Sequence, residues 1–87
     1  MSVHRPHELH EEFPRDAETL RQLKMGDAHF ANLAERYHAV NRAIHRIESK
    51  LEPASDRYTS KLKRHRLSML DEIVLMLERA EARLATV

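Results

Sequence analysis

The stretch LKRHRLSMLDEIVLML, residues 62–77, decides the fold. It passes from a basic opening into the most apolar segment of the chain with no glycine or proline in between. Its Leu, Met, Lys, Arg and Glu residues are straight-chain side chains that lose little rotamer freedom in a helix. Extended to about residues 56–84, the segment carries Leu62, Leu67, Met69, Leu70, Ile73, Val74, Met76, Leu77, Ala80 and Leu84 on about half of the helical wheel. So broad a face needs more than one neighbour.

Upstream lies EPASD, residues 52–56, in which Pro53 disfavours helical geometry in the residue before it and Ser55 or Asp56 offers a new N-cap. The four residues from Glu52 to Ser55 allow only a hairpin turn. Before the turn, Phe30, Leu33, Tyr37, Val40, Ile44, Ile47 and Leu51 recur at alternating spacings of three and four, a heptad seam spanning roughly 100° of the wheel. The spacing predicts a helix over about 28–51 antiparallel to the one over about 56–84. A turn centred near Ala54 pairs Leu62 with Ile47, Met69 with Val40, Ile73 with Tyr37, and Leu77 with Phe30 or Leu33.

Met25-Gly26-Asp27 punctuates the chain ahead of that pair. Gly26 is expected in the left-handed conformation that closes a helix, and Asp27 at the N-cap of the next. Pro14, Asp16, Glu18, Leu20 and Leu23 then predict a short amphipathic helix over about 14–24. Residues 1–12 are polar and read as a flexible tail that buries nothing, leaving 13–87 as the helical hairpin domain. The fold class expected is all-α: a coiled-coil-like, antiparallel two-helix hairpin preceded by a short helix.

A chain of 87 residues buries a modest fraction of its surface, which favours self-association. It has no cysteine, which excludes disulfides and thiolate chemistry. No apolar run approaches the ~20 residues of a membrane span, and no signal-like apolar region opens the sequence, so a cytoplasmic protein is expected. The net charge is +1, yet residues 42–66 hold eight Lys or Arg against Glu48, Glu52 and Asp56. Charge so placed bears on partners.

The ordered pieces HELHEEFP (7–14), LK-x-x-D-x-HF (23–30), RIE (46–48), EPASD (52–56) and LKRHRLSMLDEI (62–73) together resemble the YdcH-like proteins, small bacterial chains of uncharacterised function predicted to form coiled coils. Where relatives commonly show LKK-x-RL-x-LKDEI, this chain has Arg64 and the Met69-Leu70-Asp71 variant, which keeps Asp71 and Glu72 and adds apolar surface. The resemblance implies a bacterial, cytoplasmic helical hairpin and brings no activity or cofactor with it.

Candidate chemistry is sparse. His4, His7 and His10 recur every third residue, but H-E-L-H differs from the i, i+4 pair of H-E-x-x-H and supplies no third ligand, so no metal or other cofactor is assigned. His29, His38, His45 and His65 read as boundary residues of the helices, with a pH-sensitive oligomer as the functional alternative. Adjacent carboxylates such as Asp71 and Glu72 point about 100° apart and do not converge on a substrate, so neither an enzyme nor a small-molecule substrate is expected.

Two surfaces remain. With the hairpin seam satisfied, Leu67, Leu70 and Val74 are left over and predict an interface with a second copy or a partner helix. This is the leading functional reading: a protein–protein interaction module. The alternative is nucleic-acid binding at a basic tip formed by Arg42, Arg46, Lys50, Arg57, Lys61 and Arg64. Arg66, which interrupts the seam between Leu62 and Met69, either snorkels or bonds across the hairpin to Asn41 and fixes its register.

Overall fold

The structure, a computed structural model, describes residues 9–85. It is all-helical: α1 (Leu9–Glu12), a 3-10 turn (Pro14–Asp16), α2 (Ala17–Gly26), α3 (Ala28–Glu48) and α4 (Asp56–Ala85). The antiparallel pair α3–α4 forms the main body, and α2 packs on both. This is the expected hairpin with its short leading helix.

The two long helices start where a side-chain cap directs, whereas Asp16 makes no cap bond at the start of α2. Asp27, extended at φ −132°, accepts the Phe30 N–H at 3.0 Å through Oδ1 and opens α3. Ser55 accepts the Tyr58 N–H at 3.1 Å through Oγ and opens α4. Gly26, however, does not adopt the left-handed conformation: no glycine has positive φ among the described residues. One extended residue, Asp27, is enough to break the helix, and its own N–H still reaches the Leu23 carbonyl at 2.9 Å.

The left-handed position falls instead on Lys50, at φ 60°. The Lys50 N–H donates to the Ile47 carbonyl at 3.0 Å and the Leu51 N–H to that of Arg46 at 2.9 Å, the paired bonds of a Schellman closure. α3 therefore ends at Glu48, earlier than the seam predicts, and Leu51 is thrown into solvent at 76% exposure. The turn consequently centres on a point ahead of Ala54.

The core joins Leu20, Leu23, Phe30, Leu33, Ala34 and Tyr37 to Met69, Ile73, Leu77 and Ala80. It also takes in Leu9, which is fully buried. The reading of residues 1–12 as a stretch that buries nothing thus fails at Leu9–Glu12, which form a helical turn continued by a Phe13 N–H to Leu9 carbonyl bond of 2.9 Å. Leu9 and Phe13 stand one helical turn apart and both pack on the core. Residues 1–8 lie outside the description.

Candidate interaction surfaces

Arg66 sits half-buried at the seam of α4, and its Nη1 donates to Oδ1 of Asn41 on α3 at 2.8 Å. Asn41 is itself only 4% exposed, the one buried polar residue of the described chain. Glu12, at the end of α1, lines the same groove with Tyr37, Lys63, Leu67 and Leu70. Burial pushes the Tyr37 phenol up; the Glu12 carboxylate adds to the shift and Arg66 opposes it. The polar knot marks the point where α1, α3 and α4 meet.

The leftover apolar residues divide. Leu67 is 58% exposed, whereas Leu70 and Val74 are half-buried and Leu70 packs against the core. The expectation that nothing in the chain covers this side does not hold for Leu70, which packs against a core that also takes in Leu9 and Phe13. Leu75 at 46% and Leu84 at 56% are further exposed residues of α4. Leu75 had no place in the seam, since it falls on the helix face opposite Ile73.

The basic residues also divide. Arg42, Arg46, Lys50, Arg57, Lys61 and Arg64 are all exposed. Arg46 lies 3.7 Å from Glu52, and Lys63 pairs with Glu48 at 2.7 Å. The Lys63 hydrogen bond holds the Glu48 carboxyl below its ordinary range. Arg57, Lys61 and Arg64, with Ser55 and Tyr58, line one shallow depression on the first two turns of α4. None of these three cations has an ion-pair partner among the described residues.

The remaining candidates are placed as follows. His29 meets Glu72 across the hairpin at 2.6 Å, both exposed, a contact that no spacing rule singled out. His4 and His7 lie outside the described residues, as does the side chain of His10. Among the described residues no group of three or more His, Asp or Glu is arranged to hold a metal, and no helix is long and apolar enough to cross a membrane.

No curated protein and no solved structure matches the chain. One family does, described as a protein of unknown function, DUF465, and its match runs over residues 30–77. Those residues are the seam of α3, the turn and α4 through Leu77, more than half of the chain. The chain belongs to the DUF465 family of proteins of unknown function.

Proposed function

We propose that this chain is a protein–protein interaction module, a bacterial and cytoplasmic hairpin of the YdcH-like kind, which self-associates through the outer side of α4. The observation that carries the reading is Leu67, 58% exposed beside half-buried Leu70 and Val74, so that the apolar surface of the core continues outward to solvent at that point. A second α4 laid against it would remove the exposed 58% of Leu67 from water, somewhat more than half of the about 1.5–3 kcal/mol that fully burying a leucine side chain contributes.

Sedimentation equilibrium at micromolar concentration tests the proposal. The expected result is a dimer or higher oligomer that Leu67→Glu converts to a monomer of unchanged helicity. A wild-type chain that stays monomeric overturns it. Leu67 is the clean probe because Leu70 also packs on the core, so a charge there would disturb the fold itself.

A second reading, nucleic-acid binding at the turn end, is favoured by one observation. Arg57, Lys61 and Arg64 share an exposed face with no carboxylate of the described residues paired to them, while Glu48 and Glu52 are engaged by Lys63 and Arg46. Salt-sensitive binding of RNA or DNA is the test of that reading.

A further inference from the structure

Six basic residues make up the tip read from the sequence, but the structure sorts them by partner and by face. Arg46 is taken up by Glu52, and Arg42 and Lys50 stand exposed on α3 and on the turn that closes it, outside the depression on α4. Arg57, Lys61 and Arg64 stand together on α4 at i, i+4 and i+7, within a 60° arc of the helix. They cover about 10 Å along the axis at 1.5 Å per residue. Asp71 and Glu72, about two turns beyond Arg64, end the positive stretch.

An aromatic ring borders the same depression. Tyr58 is 51% exposed and its ring is free of core packing. Three cations with a flanking aromatic in a concave surface match the needs of a polymer that offers phosphates and flat bases together. A lipid surface offers no flat ring to stack on, and an acidic peptide offers one only where it carries an aromatic side chain. A duplex hides its base faces in the stack.

We propose that the face formed by Arg57, Tyr58, Lys61 and Arg64 binds single-stranded nucleic acid, the three cations holding backbone phosphates and the Tyr58 ring stacking on an unpaired base. The inference rests on the nucleic-acid reading above and narrows it to one helix face and one strand form. It is separate from self-association, because Leu67 lies outside the depression.

Fluorescence anisotropy with a labelled oligouridylate and with an RNA duplex of the same length, at low ionic strength, tests it. The single strand is expected to bind with a log K against log salt slope of about −2, three contacts at ~0.7 each. Combined Arg57→Ala, Lys61→Ala and Arg64→Ala is expected to abolish binding with the circular dichroism unchanged. Tyr58→Ala is expected to weaken it by about 5- to 100-fold while Tyr58→Phe retains it, as loss of one base–aromatic stack requires. Equal binding of duplex, or indifference to Tyr58→Ala, overturns the single-strand inference and leaves a basic face that binds nucleic acid by charge alone. No binding of either form overturns both readings. Binding that survives the triple substitution places the contact elsewhere and also overturns the inference.

Discussion

Arg66 on α4 and Asn41 on α3 are joined by a hydrogen bond of 2.8 Å inside an otherwise apolar seam. A charge-assisted bond of this kind contributes about 1.5–3 kcal/mol, and cutting one partner leaves the other desolvated without it. Asn41→Ala and Arg66→Ala are each expected to lower stability by about 1–3 kcal/mol. The double substitution Asn41→Leu with Arg66→Leu should recover much of that loss, since an apolar pair suits the seam, but at the expense of a unique register. Urea denaturation of the wild type, the two alanine variants and the double alanine variant gives the coupling energy, and a coupling near zero removes the bond from the register argument.

Leu9 provides a second test, because it is 0% exposed although its neighbours in sequence are polar. Leu9→Ala is expected to cost about 2–5 kcal/mol, the range for emptying a buried leucine site. Leu51→Ala, at a residue 76% exposed, should change stability by less than about 0.5 kcal/mol. Chemical denaturation of the two variants side by side is sufficient.

Gly26 and Lys50 are each the wrong residue for their conformation. A Cβ at Gly26 would meet nothing within 4 Å, and its φ is not positive. Gly26→Ala is therefore expected to raise stability by about 0.5–1 kcal/mol through the unfolded chain's lost freedom. Lys50 holds φ 60° with a side chain attached, so Lys50→Gly should relieve about 1 kcal/mol of left-handed strain. Thermal melts that rise for both variants, additively, are the expected outcome.

The Tyr37 phenol supplies a pH dependence of known sign. Its folded value is raised, chiefly by burial, so the folded chain keeps the proton longer than the unfolded one. Its contribution to stability is complete below the unfolded value of about 10 and is lost as pH rises through the folded value. In a Tyr58→Phe background, the urea midpoint should begin to fall above about pH 10, and Tyr37→Phe should remove that component of the fall. The phenolate absorbance of the remaining tyrosine reports the same transition directly.

Much of the hairpin is legible in the sequence because a heptad seam is a strong periodic signal. Phe30, Leu33, Tyr37 and Ile44 are buried as the 3,4 spacing requires, and Leu20 and Leu23 face inward. For Arg66 the sequence left two readings open, snorkelling or a bond to Asn41, and the structure shows the bond. What escaped is local and non-periodic. A Schellman closure on a lysine carries no sequence signature when glycine is the usual occupant, so the end of α3 was placed three residues late. Leu9 escaped because a single leucine among acids and histidines makes no pattern by itself; its only signal was Phe13 one turn later. The surfaces were legible as compositions but not as faces. Separating Arg57, Lys61 and Arg64 from Arg46 required the ion pairs, and separating Leu67 from Leu70 required the layer that carries Leu9.

Toward the turn, Ile44 is the last buried apolar residue of α3 and Met69 the first of α4. Between them the hairpin is two helices thick, with Ile47 and Leu62 half-buried and Leu51 and Tyr58 in solvent. Segments with so few buried apolar contacts open at a free energy well below that of global unfolding. Amide hydrogen exchange along α4 should accordingly slow from Thr59 toward Ile73, in a gradient rather than a step. The end that carries the cations is then the end that loosens while the rest of the molecule stays folded, so a strand gripping Arg57 and Lys61 would register as slower exchange there and nowhere else.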